Sequence, residues 1–143
     1  MPHSFAGYNH LIRLEKGEHL AVAMEQFFAE SKIEGGWIQG LGAASEVTLG
    51  FYNLNSKDYK WRKFASMMEI VALTGNVAYN QAGKMMFHLH GTFANDEFQT
   101  VGGHVKDLVA GATVELFVHR SYQAMHRQLD EATGLELLDL QSS

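Results

Sequence analysis

Three histidines near the middle of the chain have the type and spacing of a metal site. His88 and His90 are separated by one residue in the segment MMFHLHGTFANDEFQTVGGHV (residues 85–105), and His104 lies near the end of that segment. Alternate side chains of a strand point to one face, so the first two imidazoles lie roughly 6.6 Å apart along it. Three imidazoles suit Zn²⁺, with Fe, Ni or Cu as alternatives, and leave a fourth position for water or a ligand.

A hairpin centred on Asp96 would bring the third histidine to the first two. In this register Phe87 lies opposite Val105 on an apolar face, and His88 lies opposite His104 on the other face. The hydrophobic pattern and the convergence of the histidines thus favour the same register. We therefore predict that the three histidines bind one divalent ion, most readily zinc. Three solvated histidines are the alternative.

Other polar residues are weaker candidates. Glu69 lies between apolar neighbours in mid-strand. It could contact one of the metal-binding histidines without binding the metal itself, act as a general base, or lie at a subunit contact. The remaining five histidines are predicted not to bind the ion. They are His3, His10, His19, His119 and His126.

A basic segment, KDYKWRK, is a candidate nucleic-acid contact. Four of the eleven Lys and Arg residues fall within it. They are Lys57, Lys60, Arg62 and Lys63, interleaved with Tyr59 and Trp61. Cations and aromatic rings in alternation are what binding to a nucleic-acid backbone or a single strand would use. A solvated hairpin loop is the alternative interpretation.

The composition limits the class of protein. The length of 143 residues predicts a single domain, 1–143, and the absence of cysteine excludes disulfides and thiolate ligands. A formal net charge of −5 gives no overall basic field for DNA. No apolar run is long enough to cross a membrane, and no secretory signal opens the chain, so we expect a cytoplasmic protein.

The elements that must position these residues follow from periodicity. A strand is predicted at 8–14 and a helix at 18–32. β-Branched and aromatic segments follow at 37–44, 46–53, 64–79 (bending near Thr74–Gly75), 85–94, 98–106 and 112–120, then a short helix at 122–132 and an apolar strip, LELLDL. This order predicts an α+β fold with a mainly antiparallel sheet packed against one main helix.

Glycine-containing motifs in a fixed order add a family resemblance. They are GGWIQGLGAASEVTLGFYN (35–53), MEIVALTGNV (68–77), HLHGTF (88–93) and GGHV (102–105). Together they resemble the plant-and-prokaryote conserved (PPC) domain over nearly the whole chain. The resemblance implies a compact α+β domain, a homotrimer, and the histidines of HxH and GGH gathered at one site.

The resemblance does not carry over every property of the family. Plant members place an Arg-Gly-Arg-Pro segment before the domain, and this chain has none, so we expect only weak, non-specific DNA binding. The partner motif of the plant proteins is matched only at Glu69 and Ile70 within residues 66–70.

Three functions stay open at this stage. The first is a metal-binding domain in DNA-associated or regulatory assemblies, by family resemblance. The second is a small metalloenzyme that uses a three-histidine metal and water. The third, a cupin-like small-molecule binder, is the weakest because the second cupin motif is missing.

Overall fold

The computed structural model describes residues 1–7 and 9–140, in which nine strands and one helix occur. In chain order they are β1 (His3–Ala6), β2 (Asn9–Glu15), α1 (Leu20–Ser31), β3 (Gly36–Asn53), β4 (Asp58–Phe64), β5 (Met68–Tyr79), β6 (Met85–Ala94), β7 (Thr100–Arg120), β8 (His126–Asp130) and β9 (Leu135–Asp139). The predicted α+β class is confirmed. Tyr8, predicted to begin the first strand, lies outside the described residues. At 12 residues, α1 is too short to cross a bilayer.

Four strands form a closed circuit of pairing that contains the histidines. β3 pairs with β7 on one side and with β5 on the other, β5 pairs with β6, and β6 returns to β7. Each of these pairs is antiparallel. In the described sheet the one parallel contact is the bridge between Tyr79 of β5 and His126 of β8. β1 and β2 extend the sheet beyond β7, and β4 pairs with the second half of β3.

The helix covers one face of the sheet. Its buried side chains recur at helical spacing and join a single core with the inward residues of the strands. These side chains are Leu20, Ala23, Met24, Phe27 and Phe28. The helix begins at Leu20, two residues later than predicted. Asp107 of β7 accepts the backbone N–H of Ala21 at 2.9 Å, so a residue from the sheet caps this end.

The opposite face, which we call the outer face, carries the histidines together with exposed apolar side chains. Directly paired residues point to the same face. One row of such pairs runs across the sheet through Leu11, Phe117, Gln39, Thr74, His90 and His104. Trp37 and Leu41, two residues either side of Gln39, are 48% and 55% exposed. The outer face of the single chain is therefore uncovered and partly apolar.

Two long strands replace four of the predicted ones. Segments 37–44 and 46–53 form one strand, β3, and segments 98–106 and 112–120 form one strand, β7. Irregular pairing absorbs the breaks in pattern, for example next to Gly42, whose φ is +140°. Segment 64–79, predicted as one strand, is divided between two strands, because β4 ends at Phe64 and β5 begins at Met68. The irregularity in β5 falls between Ile70 and Ala72 and not at Thr74–Gly75.

The helix predicted at 122–132 is wrong. This part of the chain contains β8, which pairs with β9 in a hairpin. Asp130 Oδ2 accepts hydrogen bonds from the backbone N–H and the hydroxyl of Thr133, and Gly134 follows at a φ of +74°. This turn chemistry and the partner strand in LELLDL outweigh the helical propensity of the segment.

Candidate metal centre

A three-residue turn joins β6 to β7. Asn95 Oδ1 accepts the backbone N–H groups of Glu97 at 3.0 Å and Gln99 at 2.9 Å. Phe98 adopts a left-handed conformation with a φ of +62°, as the last residue of such loops commonly does. The turn is therefore centred on Glu97 and not on Asp96.

The predicted register of this hairpin is wrong by two residues. His104 lies opposite His90, and not opposite His88 as predicted. The turn is centred one residue later than predicted, which shifts each pair by two positions, an even number, so no side chain changes face. The predicted clustering of the three histidines on the outer face survives this error.

The three imidazoles converge on one point. One ring nitrogen of each histidine lies within 4.8 Å of the corresponding atoms of the other two. The Nε2 atoms of His88 and His90 are 3.2 Å apart. A tetrahedral zinc ion, 2.0–2.1 Å from two nitrogens, would hold those nitrogens about 3.3 Å apart. Nδ1 of His104 is buried without a hydrogen-bond partner, so the donor set fits a divalent metal ion.

Burial lowers the pKa of two of the three imidazoles, His88 and His104. The pKa of His104 is lowered to about 4, chiefly by burial and in part by the positive charges that His88 and His90 carry when protonated. Burial likewise lowers the pKa of His88, with smaller effects from the charges of His90 and Arg127. Neutral imidazole is the form that binds a metal ion.

An aromatic wall stands on one side of the cluster. Tyr59 and Trp61 of β4 stack on each other at 4.6 Å between ring centroids. The Tyr59 ring lies 4.9 Å and the Trp61 ring 5.9 Å from the ring of His104. Lys106 Nζ lies 4.9 Å from the centre of the Trp61 ring. These contacts pack one side of His104 and bring a cation close to the cluster.

A buried arginine, Arg127, lies on the His88 side of the cluster. Asn76 of β5 is the direct partner of His88, and its Oδ1 accepts a hydrogen bond from Arg127 of β8. Arg127 also donates to the backbone carbonyl of Glu136 at 2.8 Å. It is 5% exposed, and within the described range no carboxylate lies within ion-pair distance of its guanidinium.

Other predicted site residues lie away from the cluster. Glu69 is paired with Ala94, four residues along β6 from His90, which corresponds to roughly 13 Å along the strand. The structure therefore does not bring Glu69 to the histidines within one chain. Among the described residues no other histidine joins the cluster. The side chain of His3 lies outside the described residues.

The basic segment is a strand, β4, and not a loop. The pleat of β4 places Lys63 on one face and Lys60 and Arg62 on the other, whereas Lys57 lies in the turn before the strand. Lys57 Nζ donates to the backbone carbonyl of Glu131 at 2.6 Å, and Lys63 forms an ion pair with Glu46 at 2.9 Å. Lys60 and Arg62 point to the other face, where the guanidinium of Arg62 lies over the Phe64 ring.

Three neighbours of the cluster were missed in the sequence. They are Asn76, Lys106 and Arg127. The position of Arg127 near the cluster was not predicted, because its segment was predicted to be helical. The alternation of aromatic residues in β4 was visible in the sequence, where the two interpretations were a nucleic-acid surface and a solvated hairpin loop. In the structure the rings pack on His104 instead.

Comparisons with known proteins agree with the fold. The sequence profile of the Plants and Prokaryotes Conserved (PCC) domain matches residues 2–121. No curated protein matches the chain. A crystal structure of a "putative DNA binding protein" from Bacteroides thetaiotaomicron is 27% identical, with 96% of each chain covered and a TM-score of 0.91. A protein of the same description from Ralstonia eutropha is 28% identical, with 96% of this chain and 95% of that one covered and a TM-score of 0.90. The "metal-containing protein" of Archaeoglobus fulgidus is 29% identical, with coverage of 96% and 98% and a TM-score of 0.83.

The lowered pKa of His104 predicts how the metal-free protein responds to acid. In the unfolded chain this imidazole takes up a proton near its ordinary pKa of 6.5, but in the folded chain only near about 4. Because the unfolded state binds more protons between these values, stability should fall as the pH is lowered through this range. Urea unfolding of chelator-treated protein at about pH 7.5 and pH 5 measures the loss. His104→Gln should lose less stability between the two pH values, and an equal loss in both proteins would contradict the prediction.

Proposed function

The chain belongs to the Plants and Prokaryotes Conserved domain family, and on that premise we propose that it is a metal-binding domain in which His88, His90 and His104 hold one divalent ion. The observation that carries the proposal is the convergence of the three ring nitrogens, with two Nε2 atoms at 3.2 Å. The description of the Archaeoglobus relative as metal-containing supports the same conclusion.

Zinc is the ion that we propose. Imidazole nitrogen is a preferred zinc ligand, and zinc accepts four ligands in a tetrahedron without further geometric demands. Three protein ligands leave one position open, as in zinc sites that act on a bound molecule and unlike closed structural sites. An ion there supplies a Lewis acid. The three imidazoles would hold the ion as neutral ligands. Tyr59 and Trp61 would cover one side of the site, next to His104.

Removal of one histidine tests the metal proposal. Untagged protein should contain about one zinc per chain by elemental analysis, because a histidine tag would itself bind metal. His104→Ala should lower zinc affinity by more than about 100-fold, since losing even an outer partner of a ligand costs 10–100-fold. His126→Ala is the matched control and should keep its zinc. Full occupancy in the His104→Ala protein would contradict the site.

We also propose that the domain is a homotrimer. The resemblance to the PPC family implies this state. The outer face supplies a physical reason, because Trp37, Leu41 and Phe117 leave apolar surface in water. A partner chain on this face would also cover the surroundings of the metal centre.

The mass of the particle in solution tests the trimer. Light scattering on the wild type should give three times 16.0 kDa. Leu41→Glu should shift the mass toward 16.0 kDa, because the new carboxylate would be buried without a partner. Val22→Glu introduces the same charge at an exposed position on α1 and should leave the mass unchanged. A wild-type monomer at micromolar concentration would contradict the proposal.

Weak binding to DNA is a second candidate function. The descriptions of the Bacteroides and Ralstonia relatives favour it. In this chain the candidate contact reduces to Lys60 and Arg62, because the other two cations of the basic segment, Lys57 and Lys63, are engaged within the chain. With a net charge of −5 and only Lys60 and Arg62 left to contact phosphate from this segment, we expect binding without sequence preference.

A titration of random and AT-rich duplexes tests this surface. At a salt concentration near 150 mM we expect a dissociation constant between about 10⁻⁴ and 10⁻⁶ M for both. The Lys60→Ala/Arg62→Ala protein should bind at least about tenfold more weakly and with a shallower salt dependence. The Lys16→Ala/Lys84→Ala protein carries the same net charge and should resemble the wild type. Tight binding to AT-rich DNA that survives the first double substitution would overturn the proposed surface.

A further inference from the structure

We infer that the open position of the metal centre takes a small organic carboxylate, and that Arg127 and Lys106 make this position selective for an anion. The inference rests on the proposed metal site and goes beyond it, because it assigns the chemical class of the ligand. It follows from the charges around the three histidines and from the shape of the groove beside His90.

Arg127 is a buried cation with no carboxylate within ion-pair distance among the described residues, and the Glu136 carboxylate favours its charge only from farther away. Its side chain is 5% exposed, and the atoms that accept its hydrogen bonds, Asn76 Oδ1 and the Glu136 carbonyl, are neutral. Its Nε atom is buried and has no hydrogen-bond partner. Buried charges in proteins are ordinarily paired, because an unpaired one loses its hydration without compensation. An anion bound near this guanidinium would supply a negative charge closer than that of Glu136.

A bound metal ion and Lys106 would add further positive charge at the cluster. Three neutral imidazoles leave the two positive charges of a divalent ion uncompensated. Lys106, held over Trp61, adds a further positive charge on the side of His104. In the part of the chain that the structure describes, no carboxylate joins the three histidines as a possible ligand. A negatively charged ligand is therefore favoured over a neutral one of the same shape.

A groove beside His90 has room for the rest of such a ligand. It has a volume of about 320 Å³, at the lower end of the range for small-molecule sites. Small residues line it, namely Ala72, Thr74, Gly91, Thr92, Gly102 and Gly103, together with His90. A Cβ on Gly102 would come within 2.9 Å of the Gly91 carbonyl oxygen, so the floor of the groove stays free of side chains.

The hydrogen-bond donors of the groove favour a carboxylate over a phosphate. The hydroxyl groups of Thr74 and Thr92 are its side-chain donors besides His90. One carboxylate oxygen on the metal and the second near a hydroxyl would satisfy both oxygens. A phosphate has three terminal oxygens and a higher charge, and this groove has too few donors for them.

Cobalt-substituted, untagged protein tests the inference, because the visible spectrum of Co²⁺ reports a change of ligand without any assay of activity. Acetate should change the spectrum in a saturable way. Acetamide, its neutral isostere, should bind at least about tenfold more weakly, as should inorganic phosphate. Arg127→Gln should weaken acetate binding by about tenfold at unchanged cobalt content. Arg127→Lys, which keeps the charge, should stay within about threefold of the wild type. A role of Arg127 in structure alone would affect both variants alike.

Two further proteins complete the test. Lys106→Gln removes an exposed cation, so it tests the charge argument even if the Arg127→Gln protein does not fold, and it should weaken acetate binding about threefold. Arg13→Gln, at an exposed ion pair with Glu15, is the control and should bind as the wild type does. Equal binding of acetate and acetamide, tighter binding of phosphate, or acetate affinity unchanged in both Arg127→Gln and Lys106→Gln would overturn the inference. Stoichiometric cobalt without acetate binding would overturn this inference alone, whereas absence of cobalt from the wild type would overturn the metal site as well.

Discussion

The pairing of β6 with β7 is the interaction on which the candidate metal centre depends. Leu89, Phe93 and Val105 are at most 1% exposed and bind these two strands to the core. A slip of one residue would turn these side chains toward water and His104 toward the core. Each buried side chain of this size contributes about 1.5–3 kcal/mol, so the hydrophobic effect opposes that slip strongly. The same burial that stabilises the sheet therefore directs the three histidines to the outer face.

Close packing of the backbone fixes the other edge of the site. A Cβ atom on Gly75 of β5 would overlap the backbone carbonyl of His88, so only glycine lets the two strands approach as they do. The next residue, Asn76, then lies opposite His88 and receives the hydrogen bond from Arg127. The core thus positions the imidazoles, and the β8–β9 hairpin brings a positive charge to them from a part of the chain beyond residue 121, where the family profile ends.

The sequence predicted the helix, the mainly antiparallel sheet and the shared face of the three histidines, because each depends on a local period of apolar residues. It did not predict the pairing of His104 with His90, which depends on a turn that is held by Asn95 and centred one residue later than expected. It also missed Arg127, because no local pattern shows that β9 will pair with its segment. The contact of Tyr59 with His104 was not predicted either, because it joins two strands that are distant in sequence.

The central claim is that three imidazoles of one chain share a zinc ion with one position left for a ligand. X-ray absorption at the zinc edge of untagged protein measures this coordination directly. The account predicts four light-atom ligands at about 2.0–2.1 Å, three of them with the multiple scattering of imidazole rings. A shell of six oxygens, or a signal with one imidazole or none, would contradict it.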